Sequence, residues 1–486
     1  MSEQASPPLA SADVAIIGGG PAGLAALQVL RGHDLRLLLI DEQPRVGGQI
    51  TRQPPPGFKL HQWLPGRLYR GAKNLVRDIE GALDVDWHLA TTVVGIETLA
   101  TAGGAPLFRL WLHGPDGIKP IAAARVLLAP GCHELAVPFP GVNLPGVSGV
   151  GAIQTFIKSQ FLLPGRRFVL AGAHPLQLIV ADQILKAGGD IAAVVFAQRP
   201  AELARRAWPG WPVLVRDWPK FAAPLAILRK LKARRIPIRF GYVVAAAQGK
   251  DGLEQVTIKP VDNDNKLCTD VMGESFACDS LGLGYGFVAS AELARQLGAD
   301  IDWDQQRGFW LCRHDTQMQS SRRGLYVAGE ITGVDGADAA IAKGRVAALA
   351  LLADLKPDAP GTSQNLAAAR RHLKHSLRFA AYLQRFAAPP WPALMQLPHA
   401  DTLLCRCECI TKAEVDTAMR EDVLDGEINA LKLATRAGMG HCQGRLCAPF
   451  LNLLTATNGF EASQAFTARM PAKPVPIRDL LSLSKQ

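Results

Sequence analysis

Five of the nine cysteines in this 486-residue chain lie close together near its C-terminal end, at Cys405, Cys407, Cys409, Cys442 and Cys447. Thiolates are soft ligands, and four of them suit either zinc or an iron–sulfur cluster. An odd number of cysteines in a large chain does not indicate a disulfide framework. The crowding therefore predicts a metal site, with free thiols as the remaining alternative.

The spacing of these cysteines favours an iron–sulfur cluster over zinc. Zinc sites commonly use cysteine pairs with about two to four intervening residues, whereas the first pair of this segment is Cys-x-Cys, with a single intervening residue, and only the second pair, Cys-x₄-Cys, falls in that range. Glycines at 438, 440 and 444 could offer backbone N–H groups to cluster sulfides. We predict a [2Fe-2S] cluster that excludes Cys409 and has four ligands: Cys405, Cys407, Cys442 and Cys447.

A nucleotide-binding pattern lies near the start of the chain. An apolar strand over 13–17 leads into a glycine-rich turn and a helix, and a second strand ends at Asp41-Glu42. Such a unit places a pyrophosphate at the helix N-terminus, and the acid accepts hydrogen bonds from a ribose. Asp41 is the predicted ribose ligand, with Glu42 in reserve, which favours FAD or NAD over NADP. The turn residues predicted to bind the dinucleotide are Gly18, Gly20, Pro21, Ala22 and Gly23.

Two further segments favour FAD. The stretch 45–50 follows the acid and contributes Gly48 and Gln49, while 324–330 ends in Gly329-Glu330 before a helix of small residues. A strand that ends in glycine and an acid can place a carboxylate on the ribityl chain of a flavin, with the helix dipole facing the ring.

This return segment resembles the glutathione-reductase-type flavoprotein fold, in which two distant stretches form one FAD domain. The stretch 125–132 is similar to the strand that closes that domain, and it adds Ala129 and Gly131 to the predicted FAD contacts. Pro130 and Glu330 replace the threonine and aspartate usual in that family. Cys132 has no nearby partner cysteine and is predicted to be a small core residue.

The strand–turn–helix–strand pattern recurs over 167–196 in an altered form. His174 and Gln177 stand where the first unit has glycines, and Ala197-Gln198 replace the acidic pair. In related flavoproteins the second unit binds NAD(P)H. We expect this unit to keep the fold and to have lost most nicotinamide binding.

The bulk composition limits the possible classes of protein. Hydrophobic residues make up 48% and charged residues 20%, which fits a globular chain with ample core. The net charge of +10 comes without a nucleic-acid-binding module, so we expect no nucleic acid partner. The sequence shows no long apolar span and no apolar leader. We therefore expect a cytoplasmic protein, either free or peripheral at the inner membrane.

Several motifs together carry a more specific resemblance. The cysteine segment resembles the [2Fe-2S] module of bacterioferritin-associated ferredoxin. With it, the chain resembles the large FAD/[2Fe-2S] subunit of opine oxidases, D-hydroxyproline dehydrogenases and hydrogen cyanide synthase. The stretches that carry the resemblance are 131–134, 137–141, 144–147, 284–288, 405–408, 435–440 and 442–447.

This resemblance implies a division of labour between subunits. An amino-acid-oxidase-like partner would oxidise the substrate, and this chain would pass electrons from it to a respiratory acceptor. A flavin shared with the partner and a small third subunit would also belong to such a complex. NAD(P) is not expected, and the sequence shows no catalytic constellation. Two alternatives remain open: a self-sufficient NAD(P)H-dependent reductase, and a non-catalytic subunit that holds its nucleotide and cluster structurally.

The predicted fold class is α/β, with two Rossmann-like domains of the glutathione-reductase type and a small helical [2Fe-2S] domain. The FAD-binding domain is expected in two parts around an inserted NAD(P)-binding-like domain. The predicted boundaries are 1–140 and 266–355 for the FAD-binding domain, 141–265 for the insert, 356–398 for a helical linker, 399–460 for the cluster domain and 461–486 for an extended tail.

Overall fold

The computed structural model describes residues 11–55, 57–58, 69–101, 104–207, 211–420, 427–457 and 465–483. The first strands are β1 (Ser11–Ile17), β2 (Leu37–Ile40), β3 (Val85–His88), β4 (Thr92–Leu99), β5 (Leu107–Gly114), β6 (Gly117–Leu128), β7 (Cys132–Glu134) and β8 (Val147–Gly149). They are followed by β9 (Arg167–Gly172), β10 (Asp190–Phe196), β11 (Ile238–Phe240), β12 (Tyr242–Gln248), β13 (Gln255–Pro260), β14 (Glu274–Ala277) and β15 (Ser280–Gly284). The last strands are β16 (Phe287–Ala289), β17 (Ile301–Asp304), β18 (Phe309–Cys312), β19 (Leu325–Val327), β20 (Leu403–Cys405) and β21 (Ile410–Thr411).

The helices occur between and after these strands. The first are α1 (Pro21–Leu30), α2 (Arg70–Ile79), α3 (Val150–Thr155), α4 (Leu176–Lys186), α5 (Pro200–Ala207), α6 (Trp211–Arg216), α7 (Trp218–Ala233) and α8 (Glu292–Gln296). The others are α9 (Ala337–Leu355), α10 (Thr362–Ala387), α11 (Trp391–Leu394), α12 (Lys412–Ala418), α13 (Ile428–Thr435), α14 (Ala448–Ala456) and α15 (Ile477–Leu483). None of the described helices is long and apolar enough to cross a membrane.

The first sheet joins the beginning of the chain to a strand far along it. Its strands lie in the order β3-β2-β1-β6-β5-β4, and β19 pairs with β6 in parallel. Helices α1 and α9 cover one face and pack closely, because a Cβ atom on Gly344 would lie 2.1 Å from the carbonyl oxygen of Ala22. The distant return segment of the predicted FAD domain therefore lies beside the first nucleotide motif.

The second sheet is parallel, in the order β11-β10-β9-β15-β8. The predicted domain boundary after residue 265 assigned residues 266–355 to the FAD-binding domain. This prediction is wrong for β15, which pairs with β8 and β9 of the second sheet. Strand β15 has only five residues, and the three-stranded sheet β12-β13-β14 separates it from β11 in the chain. Its local sequence therefore gives little indication of the strand with which it pairs. The inserted domain therefore extends at least to Gly284.

The C-terminal region is helical around its cysteines. Helix α12 begins with a capping box in which Thr411 and Glu414 exchange hydrogen bonds. The tail after residue 461 is not extended throughout, because its described part contains α15. His113 of β5 contacts Asp479 at 2.9 Å, which fastens that helix to the first sheet.

Candidate cofactor sites

The glycine-rich turn between β1 and α1 requires glycine on steric grounds. Gly18 has a φ of +107°, and a Cβ atom there would lie 2.1 Å from the carbonyl oxygen of Ala129. A Cβ atom on Gly23 would lie 1.9 Å from the carbonyl oxygen of Gly18. The turn thus brings α1, which starts with Pro21, directly behind the ends of β1 and β6, as a pyrophosphate site requires.

The two acids after β2 have different partners. The backbone N–H groups of Gly19 and Gln43 donate to the two oxygens of Asp41, at 2.6 and 2.7 Å. Burial raises the pKa of Asp41, and these hydrogen bonds act in the opposite direction. Glu42 forms an ion pair with Lys473 of the C-terminal segment. Each oxygen of Asp41 keeps capacity to accept a further bond, so the carboxylate can still receive a ribose hydroxyl.

The return segment places Glu330 next to the same turn. A Cβ atom on Gly329, which has a φ of +77°, would lie 2.9 Å from the Cβ atom of Ala22. The Glu330 carboxylate accepts the backbone N–H of Asp335 at 2.9 Å, and burial raises its pKa to about 7. Lys343 donates to the carbonyl oxygen of Gly329 and to the Asp335 carboxylate, at 3.3 and 2.7 Å. These bonds fix the segment beneath the turn.

A cavity of about 790 Å³ lies between these segments, which is ample for a cofactor. Of the thirteen predicted cofactor residues, only Gly23 lies outside its wall. The other twelve line it: Gly18, Gly20, Pro21, Ala22, Asp41, Glu42, Gly48, Gln49, Ala129, Gly131, Gly329 and Glu330. Cys132 also lines the cavity, and burial raises the pKa of its thiol well above the usual range. The residues present fit FAD, because the glycines leave room for a pyrophosphate beside a helix N-terminus.

Sequence reasoning missed a buried lysine in this wall. Lys158 lies in a π-helical turn over Phe156–Gln160, and its ammonium donates to the carbonyl oxygens of Gln49 and Ile50 and to Gln154. Burial lowers its pKa to about 7. Lys158 thereby ties the inserted domain to the loop after Asp41. The available signal was that Lys158 is the one charged residue between Glu134 and Arg166.

The second nucleotide motif is occupied by the protein's own groups. The half-buried His174 ring accepts the backbone N–H of Leu176 at 3.2 Å and lies edge-on to Phe287 at 5.1 Å between ring centroids. Gln198 donates to the carbonyl oxygens of Ala173 and of Phe386 in α10. The end of α10 therefore covers the position at which an acid would hold a ribose.

The four predicted cluster ligands form a row of contacting thiols. Hydrogen bonds link their side chains in the order Cys405–Cys447–Cys442–Cys407. Cys409 lies outside the row, and its sulfur contacts the carbonyl oxygen of Arg406 at 3.8 Å. Among the described residues no three His, Cys, Asp or Glu side chains surround a single metal-ion position. Four cysteine sulfurs are the donor set that an iron–sulfur cluster takes, so the residues present fit such a cluster.

The thiols of the row differ in acidity. The hydrogen bond from Cys447 lowers the pKa of Cys405 to about 6 and that of Cys442 to about 5. Backbone N–H groups, among them that of Gly438 toward Cys405, add to this effect. The pKa of Cys447 is raised because it donates to both neighbours, and burial raises the pKa of Cys407. The loop therefore favours the thiolate form at two positions, which is the form that binds metal.

One short contact joins the large cavity to the cysteine row. His133, which follows Cys132 in β7, lies with Nε2 3.1 Å from the carbonyl oxygen of Arg445. Arg445 lies between Cys442 and Cys447 in the chain and pairs with Glu292 at 2.8 Å. His133 was part of a motif that carried the resemblance, but the sequence assigned it no role.

Comparison with known proteins places this geometry in a family. Residues 12–344 match the family model described as pyridine nucleotide-disulphide oxidoreductase. The hydrogen cyanide synthase subunit HcnB of Pseudomonas protegens is 32% identical over 95% of this chain and 96% of its own length. An opine oxidase subunit of Agrobacterium tumefaciens is 31% identical over 97% of this chain and 92% of its own length.

The solved structures extend the comparison of the fold. The crystal structure of L-proline dehydrogenase from P. horikoshii superposes with a TM-score of 0.67 at 20% identity, over 98% of this chain and 81% of that chain. The thioredoxin reductase of T. acidophilum superposes with a TM-score of 0.51 at 18% identity, over 71% of this chain and 99% of that chain. At these identities the likeness concerns the fold.

Proposed function

The chain belongs to the pyridine nucleotide-disulphide oxidoreductase family, and from that premise we propose that it is an electron-transfer subunit of a heteromeric amino- or imino-acid dehydrogenase. The family makes the chain an oxidoreductase and implies FAD. The finer proposal is that it holds both FAD and a [2Fe-2S] cluster, takes electrons from an oxidase-like catalytic partner and delivers them to a respiratory acceptor. The substrate of the partner would be of the opine, hydroxyproline, proline or glycine type.

The observation that carries this proposal is the contact between His133 and Arg445. It places the wall of the cofactor cavity against the loop that bears Cys442 and Cys447, at 3.1 Å. FAD supplies two-electron chemistry and a [2Fe-2S] cluster supplies one-electron chemistry, so that the pair can connect two-electron to one-electron steps. A chain that holds both sites side by side is suited to that conversion.

The residues of the chain divide the work of holding these groups. The turn from Gly18 to Gly23 and the start of α1 would hold the pyrophosphate, with Asp41 toward the ribose and Glu330 toward the ribityl chain. Cys405, Cys407, Cys442 and Cys447 would hold the cluster. We assign no catalytic residue for substrate in this chain, since the relatives named above are subunits.

The altered second nucleotide motif supports a subunit that receives electrons from a partner protein. His174 and Gln177 occupy the turn, and Gln198 is bonded to α10. A nicotinamide nucleotide would have to displace these contacts, and the motif has no acidic residue to bind its ribose. This disfavours a self-sufficient NAD(P)H-dependent reductase.

The decisive experiment is an anaerobic absorption spectrum of the purified chain, titrated with NADH and then NADPH. We expect flavin and iron–sulfur bands that stay oxidised with both nucleotides. Addition of the co-purified oxidase-like partner together with its amino or imino acid should then bleach them. Stoichiometric bleaching by either nucleotide would contradict the proposal. Turnover of the complex while the bands of this chain stay oxidised would instead assign it a structural role.

A further inference from the structure

A second cavity, of about 310 Å³, lies between the flavoprotein body and the cysteine-bearing segment. Helix α8 and Trp310 of β18 form one side, and α13, the loop 438–445 and residues 466–472 form the other. It adjoins the larger cavity at four shared wall residues: His133, Glu292, Arg445 and Ala472. Its volume lies at the lower end of small-molecule sites, about 300–1,000 Å³.

The wall of this second cavity carries an excess of positive charge. Among its described residues are Glu292 as the one acid and four cations, which are Arg295, Lys432, Arg445 and Arg469. Glu292 pairs with Arg445 at 2.8 Å. The described wall thus leaves Arg295, Lys432 and Arg469 without a carboxylate of their own.

Both arginines lie close enough to Lys432 to repel its charge. Partial burial lowers the pKa of Lys432, and the charges of Arg469 and Arg295 lower it further. Burial also lowers the pKa of Arg295, although its guanidinium remains charged at any ordinary pH. Like charges crowded in a partly buried pocket favour the binding of an anion.

Two aromatic rings and a hydrogen bond to the backbone hold these three cations in place. The guanidinium of Arg295 lies 5.8 Å from the ring centroid of Trp310, and the ammonium of Lys432 lies 5.3 Å from that of Phe466. Gln296 donates to the carbonyl oxygen of Arg469 at 2.8 Å, which fastens that residue's backbone to α8. The positive wall is therefore built by both the body and the C-terminal segment.

An iron–sulfur cluster bound by the cysteine row would account for only part of the positive charge in the wall of the second cavity. The Cys447 side chain raises the pKa of Lys432. By contrast, only burial and the Glu292 carboxylate shift the pKa of Arg295. Arg295 lies on the body side of the cavity, beside Trp310. A ligand within the cavity would supply the counter-charge that this part of the wall lacks.

We propose that this cavity binds a small, multiply charged anion of the phosphate type whose apolar part packs against Trp310 and Phe466. The forked guanidinium groups of Arg295 and Arg469 match phosphate oxygens, and Lys432 adds a point charge. Because the cavity adjoins the contact between His133 and Arg445, such a ligand would sit beside the junction of the two cofactor sites. The inference does not depend on the proposed function.

Isothermal titration of the full-length protein with its cofactors bound tests this site. We expect pyrophosphate to bind saturably with one-to-one stoichiometry, more weakly as ionic strength rises. AMP should bind more tightly than adenosine, which lacks the phosphate. Arg295→Gln and Arg469→Gln should each lower the affinity for pyrophosphate by about tenfold or more. Arg323→Gln, which removes an exposed arginine outside the cavity, should bind like the wild type.

The controls keep the outcomes distinct. Flavin and iron content must match the wild type in each variant. If Arg295→Gln fails to fold, the exposed Arg469 still decides the question. Absence of saturable binding to the wild type, or equal affinity in all three variants, would overturn the proposal. So would a changed reduction potential of the cluster in Arg469→Gln without any binding of pyrophosphate, since the cations would then serve the cluster alone.

Discussion

The ring of His133 and the backbone carbonyl oxygen of Arg445 meet at 3.1 Å although 312 positions separate them in the chain. A carbonyl oxygen can only accept a hydrogen bond, so this contact assigns the ring proton to Nε2. Burial lowers the pKa of His133, which keeps the ring neutral. The contact therefore acts as a neutral hydrogen bond that holds the cysteine loop against the wall of the cofactor cavity.

Replacement of His133 should loosen this junction. His133→Leu removes the donor and leaves the partly buried Arg445 carbonyl oxygen without it, which costs about 1–3 kcal/mol. We expect a lower free energy of unfolding, measured by urea titration with circular dichroism. His372→Leu, at an exposed position of α10, should change it by less than about 0.5 kcal/mol. Equal losses in the two variants would argue against a structural role for the contact.

The glycine turn gives a prediction about flavin content. Gly23→Ala would force a Cβ atom to within 1.9 Å of the Gly18 carbonyl oxygen, which must displace the turn or α1. We expect the purified variant to lose most of its flavin, measured as flavin absorbance per chain. Gly71→Ala is the matched control, because a Cβ atom there meets no atom within 4 Å. Full flavin content in Gly23→Ala would contradict the assignment of this turn.

Local chemistry explains which parts of this site could be foreseen. The local sequence identifies the turns at Gly18 and Gly329 within a few residues, because a strand, a turn and a helix follow one another there. The same holds for the paired cysteines. By contrast, the bonds of Lys158 to the loop after Asp41, and of Gln198 to α10, join segments that no local pattern relates. Such contacts arise from tertiary packing and became visible only in the folded chain.

The cysteine row predicts that four of the five neighbouring cysteines are needed to bind iron and that Cys409 is not. Serine substitution at Cys405, Cys407, Cys442 or Cys447 should each remove most of the iron, measured per chain by a colorimetric assay, because each would supply one ligand. Cys409→Ser should keep the iron, since that sulfur lies outside the row of thiols. Loss of iron in Cys409→Ser, together with full retention in one of the other four, would assign a different ligand set.

The half-buried His174 predicts a loss of stability in mild acid. Burial lowers its pKa from 6.5 to about 4 in the folded chain, so the unfolded chain binds the proton more readily. Its contribution to stability is therefore complete above pH 6.5 and is lost as the pH falls toward 4. Between pH 6.5 and pH 5 the loss should be roughly 1–2 kcal/mol.

A comparison of variants isolates this effect of His174 from other titrating groups. His174→Leu should be less stable than the wild type near neutral pH, since it also loses the bond from Leu176. The difference should shrink as the pH falls to 5, because only the wild type still has this histidine to protonate. The curve for His372→Leu should run parallel to that of the wild type. Parallel curves for His174→Leu as well would mean that His174 is not held neutral by burial, and the turn would then be open enough for solvent and for a phosphate.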